Sequence, residues 1–209
     1  VECKTCHERL RADKEEEIKA HPHKNFTEVR QFNTMFKTFV GAIEDDSTVA
    51  YLRPETAQGM FTNFAHILES MRAKVPFGIA QIGKNFRNEI TYRNFIFRMR
   101  EFDIAEVEYF VKPGDDDAAF DAWLEFMQRI LVERFGLAQE NLQLYEHPKD
   151  TLAHYSKRTV DIHYKYPWGW DELWGLANRT DYDLKRHQEA SGQNMSFRDP
   201  VTSESYIPY

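Results

Sequence analysis

Two long stretches of alternating residues, PFGIAQIGKNFRNE (76–89) and FIFRMREFDIAEVEYFV (95–111), flank the short turn ITYRN and constrain the chain most. A period of two over such lengths fits a strand and no helix, so the pair predicts a hairpin of two long strands. Residues two apart share a face of a strand. One face of the first strand is therefore expected to carry Ile79, Gln81, Gly83, Asn85, Arg87 and Glu89, and one face of the second Arg98, Arg100, Phe102, Ile104, Glu106 and Glu108.

Such a face combines guanidinium groups, an aromatic plate and carboxylates. Arginine suits phosphate oxyanions through its permanent charge and fixed fork of donors. An aromatic ring can stack on a nucleobase while an arginine covers the other side. Nearby glutamates suit an ammonium group or a metal ion. The competing reading from spacing alone is a salt-bridged surface hairpin with its rings buried behind it. The sequence has no GxxxxGK[ST] or GxGxxG loop, so any phosphate must be held by side chains.

The remaining pattern gives an α+β fold built around an antiparallel sheet flanked by helices. Thr56 is placed to cap a helix with Met60, Phe61, Phe64, Ile67, Leu68 and Met71 on one stripe, barred from continuing by Pro76. Asp115–Asp117 suit the start of a second helix, whose stripe of Phe120, Trp123, Leu124, Met127, Ile130, Leu131 and Phe135 ends at Gly136. A strand is expected around Glu172–Ala177, followed by the polar segment RTDYDLKRHQEASGQN. QFNTMFKTFVG fits an extended and a helical stripe equally. Residues 1–30 are charged and read as a polar insert or small subdomain, with metal binding as one of its options, and 31–209 as the core.

Composition narrows the function classes. The 209 residues are 42% hydrophobic and 14% aromatic, as in globular proteins. No apolar run approaches the roughly 20 residues of a membrane helix. The opening residues lack signal-peptide zones, and two cysteines are too few for a disulfide framework, so a cytoplasmic, reducing setting and no membrane partner are expected. A net charge of −7 argues against non-specific coating of nucleic acid, which rests on excess Lys and Arg.

YLRPETAQGMF (51–61), PFGIAQIGKNFRNEI (76–90) and RNFIFRMREF (93–102) closely resemble the catalytic domain of glycyl-tRNA synthetase, a class II aminoacyl-tRNA synthetase, and the hairpin resembles motif 2 of that class. QFNTMFKT, TVDIHYKYPWGWDELWGLANRTDYDLKRHQEASG and the closing YIPY are similar to further segments in the family's order. The resemblance implies ATP-dependent formation of glycyl-adenylate and transfer of the glycyl group to the 3′ end of tRNA(Gly), with ATP and Mg²⁺ used and a homodimer for the full-length protein. It also implies site roles. Arg87 and Glu89 would be catalytic. ATP would be held by Arg87, Asn88 and Glu89, by the run Phe97, Arg98, Met99, Arg100, Glu101 and Phe102, and by Glu172, Leu173 and Arg179. Glycine would meet Arg11, Glu55, Phe102, Asp103, Ile104, Ala105 and Glu106.

The chain departs from the family at Asp103 and Ile104, where EFEQ is usual, and at Trp174, where an acidic residue is frequent. Nothing resembles motif 1, motif 3 or an anticodon-binding domain, so the chain reads as a piece of a longer synthetase, its activity alone left open. A non-catalytic synthetase-like binding protein, such as a polymerase accessory subunit, is the alternative, and an adenylate-forming enzyme for another amino acid is the third. The joint retention of Glu55, Arg87, Glu89, Phe102, Glu106 and Glu172 favours the ligase.

Cys3 and Cys6 have zinc-ligand spacing, with His21 and His23 at a distance that could complete four ligands. One CxxC with HxH is a weak signal. The favoured expectation is a reduced, solvated pair; no metal ligand is assigned, and zinc at Cys3 and Cys6 is the lesser alternative.

Overall fold

The computed structural model describes residues 1–209. It divides into two compact units, 1–56 with 82–105 and 57–81 with 106–209. In chain order it contains helix α1 (Glu15–Ala20), strands β1 (Lys37–Phe39) and β2 (Val49–Tyr51), helix α2 (Ala57–Met71) and strands β3 (Phe77–Phe86) and β4 (Glu101–Phe110). Helix α3 (Asp116–Glu133), strands β5 (Leu142–Glu146), β6 (Arg158–Tyr166) and β7 (Gly169–Asn178), helix α4 (Tyr182–Ser191) and the short strands β8 (Phe197–Arg198) and β9 (Ser205–Tyr206) follow. The α+β expectation holds. No helix is long and apolar enough to cross a membrane.

In the first unit, β1 and β2 pair antiparallel with Lys37 opposite Tyr51. The ambiguous segment QFNTMFKTFVG therefore resolves as a three-residue strand, and all three residues are exposed. Neither of its two stripes is buried, which is why periodicity could not choose between them: Phe32, Met35 and Phe39 all stay largely open to solvent.

β3 and β4 are hydrogen-bonded neighbours. A Cβ on Gly78 would meet Tyr109 and Val107, while Lys84 reaches Asp103 and Glu101, so the strands run antiparallel in one register. Burial alternates along both, and the covered face carries Ile79, Gln81, Gly83 and Asn85 on β3 and Phe102, Ile104, Glu106 and Glu108 on β4, as the period predicts. The strand ends are a correction. β3 stops at Phe86 and β4 starts at Glu101, so Arg87–Glu89 and Phe97–Arg100 lie outside the expected strands. The turn is wider than ITYRN because Asn94 and Phe95 are left-handed (φ 56° and 57°), which breaks the ladder. An isolated Arg93–Arg98 bridge and the Arg87 amide bond to the Arg100 carbonyl span the gap.

The second unit has two apolar clusters. α2 lays Phe61 and Phe64 on Phe110, Leu184 and Met195, with the Phe64 and Phe110 ring centroids 4.7 Å apart. Burial of each such ring contributes about 1.5–3 kcal/mol. α3 lays Phe120, Leu124, Met127 and Leu131 on Val160 and Ile162 of β6. Phe135, expected on that stripe, is exposed because α3 has already ended two residues earlier, before the left-handed Gly136. Strands β5, β6 and β7 form an antiparallel sheet in that order. β7 contains the expected strand, and α4 emerges from the segment read only as polar, closed by left-handed Gly192 (φ 71°). Its buried residues are Asp183 and Leu184, too few for an apolar stripe to announce it.

Candidate active site

In the first unit the end of β3 is fixed to its surroundings mainly through the backbone. The Phe86 amide donates to the Arg53 carbonyl at 2.8 Å, the Arg87 amide to Arg100 at 3.0 Å and the Asn88 amide to Thr34 at 2.8 Å. Side chains reinforce this. Arg87 Nε donates to the Pro54 carbonyl at 3.1 Å, Asn88 Nδ2 to the Asn33 carbonyl at 2.9 Å, and Arg100 Nε to the Glu89 carbonyl at 3.0 Å. Buried or half-buried carbonyls need donors, and the arginines supply them.

The guanidinium groups also lie over rings. Arg87 sits 5.4 Å from the Phe102 centroid, Arg100 4.8 Å from Tyr92 and Arg98 5.0 Å from Phe97. The alternation of rings and arginines thus resolves into stacked pairs, worth about 0.5–1 kcal/mol each where exposed. Arg93 is committed elsewhere, to both carboxylate oxygens of Glu17 at 3.2 and 3.1 Å.

Arg11 and Glu89 line one cavity of about 430 Å³, together with Asn88, Thr34 and the segment Leu10–Asp13. Arg11 is exposed and pairs with Asp13 at 3.0 and 2.6 Å. Asp13, then the more distant Glu89 and Glu17, hold the Arg11 proton more firmly than usual. Glu55 is half-buried just ahead of α2, and the adjoining Thr56 is buried.

Pleat direction separates the β4 residues. Phe102 and Ile104 face the covered side, whereas Glu101, Asp103 and Ala105 face outward. Asp103 bonds Lys84 at 3.0 Å on that outer side, and Lys84 also approaches Glu101 at 3.4 Å. The pleat therefore turns the Glu101, Asp103 and Ala105 side chains away from the Phe102 face. Met99 is exposed.

In the second unit, Arg179 is the most confined arginine of the expected set. Asp183 accepts from its Nε at 2.7 Å and its Nη2 at 2.9 Å, and the guanidinium lies 3.8 Å from the Tyr155 centroid and 5.4 Å from Phe61. Burial disfavours the charge, but the Asp183 hydrogen bonds and field, with Tyr155 and Glu108, outweigh it and raise the arginine's proton affinity. Arg179, Glu108, Asp183 and Asn178 line a cavity of about 120 Å³. Glu106 and Glu108 share the covered face of β4.

Glu172 lies at a β-bulge. Ile162 pairs with Trp174 and His163 with Glu172, so Leu173 is the extra residue. The bulge turns Glu172 to the same side as Gly175, where an added Cβ would meet Glu172 Oε1 and Asp161 Oδ1, each at 3.2 Å. Two carboxylates thus converge over a residue without a side chain. Asp161 is itself bonded to His147 Nε2 at 2.7 Å. Oxygen donors of this kind fit a hard divalent cation such as Mg²⁺.

Sequence reasoning overlooked Asp183 and Asp161. The i, i+4 spacing of Arg179 and Asp183 was a usable signal. Asp161 had none, because its approach to Glu172 depends on the bulged register of β6 and β7.

The expected solvated Cys3–Cys6 pair is corrected at one residue: Cys6 is exposed, but Cys3 is fully buried. His21 Nε2 lies 3.5 Å from Cys6 Sγ, whereas the His23 ring does not join the cluster of Cys3, Cys6 and His21.

Residues 36–189 match the family described as tRNA synthetase class II core domain (G, H, P, S and T). A glycine–tRNA ligase of Caldanaerobacter subterraneus subsp. tengcongensis is 58% identical over 185 residues, covering 88% of the chain and 40% of that protein. One from Alkaliphilus oremlandii is 47% identical over 239 residues, covering 100% and 52%, and one from Geobacillus kaustophilus is 54% identical over 186 residues, covering 89% and 40%. The chain spans about half the length of these relatives, or less.

Proposed function

Because the chain belongs to the class II tRNA synthetase core-domain family, we propose that it supplies the glycine-activating part of a glycine–tRNA ligase. In the reaction a glycine carboxylate oxygen attacks the α-phosphorus of ATP, the bond to pyrophosphate breaks, and glycyl-adenylate forms. A ribose hydroxyl of the terminal adenosine of tRNA(Gly) then attacks the glycyl carbonyl, AMP leaves, and the hydroxyl proton passes to phosphate or solvent. Positioning and charge stabilisation carry both steps.

In the first unit, Arg87 takes the α-phosphate while its bond to Pro54 and its ring contact with Phe102 hold the guanidinium in place. Phe102 stacks on adenine, the backbone from Phe97 to Glu101 frames the base, and Asn88 and Glu89 complete that wall. Glu55 accepts from the glycine ammonium, with Arg11 at the substrate end. Ile104 lies on the Phe102 face as an apolar wall against a larger α-substituent, and Asp103 and Ala105 contribute backbone.

In the second unit, Glu106 is a further ammonium acceptor and Arg179 meets phosphate through Nη1. Glu172, with Asp161 beside it, fits Mg²⁺ accompanying the phosphates, and Leu173 sets their register through the bulge. A bound Mg²⁺ neutralises phosphate charge. A homodimer of the full-length protein, working in the cytoplasm, completes the proposal.

The observation that carries this reading is the Arg87–Phe102 pair, a guanidinium held 5.4 Å from the centroid of a ring. The test is glycine-dependent ATP–pyrophosphate exchange by the full-length protein, with alanine and serine as competitors. Exchange with glycine alone is expected. Folded protein that catalyses none would overturn the ligase reading in favour of a non-catalytic binding role.

A further inference from the structure

The first 26 residues hold a cluster the glycine-activation chemistry does not use. Cys3, Cys6 and His21 place their ligand atoms within 4.8 Å of one another. We infer that Cys3, Cys6 and His21 bind a zinc ion, with water completing the tetrahedron.

The distances match a tetrahedral ion. Zinc–sulfur and zinc–nitrogen bonds of about 2.3 and 2.0–2.1 Å require a sulfur–nitrogen edge of about 3.6 Å. Cys6 Sγ to His21 Nε2 measures 3.5 Å. Glu8 Oε2 hydrogen-bonds His21 Nε2 at 3.2 Å but lies outside the three-residue cluster.

The surroundings are arranged as around a metal-bound sulfur and imidazole. His21 is buried, and its Nδ1 lies 2.8 Å from the His23 carbonyl. The His23 amide lies 3.1 Å from the same nitrogen, and zinc on Nε2 would make Nδ1 the donor to the carbonyl. Such an outer bond is the usual way a ligand histidine is fixed. Backbone amides close on Cys3: Thr5 N donates to Cys3 Sγ at 3.4 Å and His7 N to the Cys3 carbonyl at 2.9 Å. The turn that aims them requires His7 in the left-handed region (φ 61°), a conformation that disfavours a side chain.

A hydrogen-bonded pair of thiols accounts for the proximity of the two sulfurs. It gives no reason for the buried His21 ring beside them or the strained His7 turn. Zinc accounts for both, replacing two thiol protons that pass to solvent.

The ion would fasten a segment with little apolar core, where Cys3 and Leu10 are the buried hydrophobics. The same segment carries Arg11 to the cavity it shares with Glu89. Metal loading is independent of whether the chain activates glycine.

The test is elemental analysis of the chain purified without chelator and dialysed, alongside Cys6→Ser, His21→Ala and His23→Ala. About one zinc per chain is expected for the parent and for His23→Ala, with at least a tenfold loss in the other two. Folded parent protein that retains less than about a tenth of an equivalent overturns the proposal, as does full retention in Cys6→Ser combined with His21→Ala. Should His21→Ala fail to fold, cobalt substitution of the parent decides. Intense visible bands with thiolate-to-cobalt charge transfer support the site, and a weak octahedral spectrum overturns it.

Discussion

Arg87 and Arg179 carry the same charged group but are built in by different means. Arg87 lies just beyond β3, held by its Nε bond to a backbone carbonyl and by the Phe102 ring. Arg179 lies at the end of β7, locked by both oxygens of buried Asp183 and covered by Tyr155. A neutral carbonyl does not cancel a guanidinium charge, so the Arg87 charge stays available to an anion. Asp183 does cancel it, which lets Arg179 be buried but makes the two residues one structural unit. The first arrangement favours ligand chemistry, the second rigidity.

The largest expected effect would break the second arrangement. Asp183→Ala leaves a buried guanidinium without its carboxylate and is expected to cost about 3–5 kcal/mol of stability. Urea or thermal unfolding measures it. A loss below 1 kcal/mol would mean that water compensates Arg179, and the contrast with Arg87 would dissolve.

Arg87→Ala addresses the first arrangement. It is expected to lower glycine-dependent ATP–pyrophosphate exchange by about 10²–10³-fold, the loss typical of a transition-state donor. The circular dichroism spectrum and unfolding midpoint stay near those of the parent, because the amide bonds that fix the loop remain. Unchanged exchange would remove Arg87 from its role.

A third test extends the buried-carboxylate rule within the second unit. Asp116 accepts from Lys157 Nζ at 2.6 Å and Asn178 Nδ2 at 2.7 Å. Burial alone would raise its pKa, but these two partners outweigh it and hold the carboxyl below the usual carboxylate range. A depressed folded pKa contributes stability that is complete above the unfolded value of about 3.9 and is lost as pH falls through the folded value. Asp116→Asn is expected to cost about 1.5–3 kcal/mol at neutral pH and to flatten the acid limb of the stability curve. An acid limb identical to that of the parent would count against the pair.

The smallest effect is expected on the outer face of β4. Asp103→Ala removes an exposed ion pair with Lys84 and should change stability by less than about 1 kcal/mol. Exchange should stay within about twofold of the parent, since the side chain points away from the Phe102 face. A larger rise in the glycine KM would show that the outward placement does not describe the working protein.

Much of the fold was legible because period reports burial. The covered faces of β3 and β4 follow from alternation alone, and α2 and α3 from their stripes. β5, β6 and α4 were not legible. β6 is buried through Val160, Asp161 and Ile162 without alternation, and α4 buries only Asp183 and Leu184. A strand or helix that presents too few apolar residues leaves no periodic trace. The proposed site residues, including Arg87, Glu89, Phe102 and Glu172, were chosen as residue types, and their contacts were not legible.

By itself the sequence determined the pleat faces, the principal amphipathic helices and the family, because these depend on residue order and local geometry. Tertiary structure alone decided where the hairpin ladder breaks, that Glu172 turns toward Asp161, and that His21 rather than His23 joins Cys3 and Cys6. Each of these rests on a backbone detail set by distant partners: the amide bonds of the Arg87 loop, the bulge at Leu173, and the His23 carbonyl that fixes the His21 ring. Long-range register and ring orientation are fixed by packing and hydrogen bonding across the fold, and no local pattern encodes them.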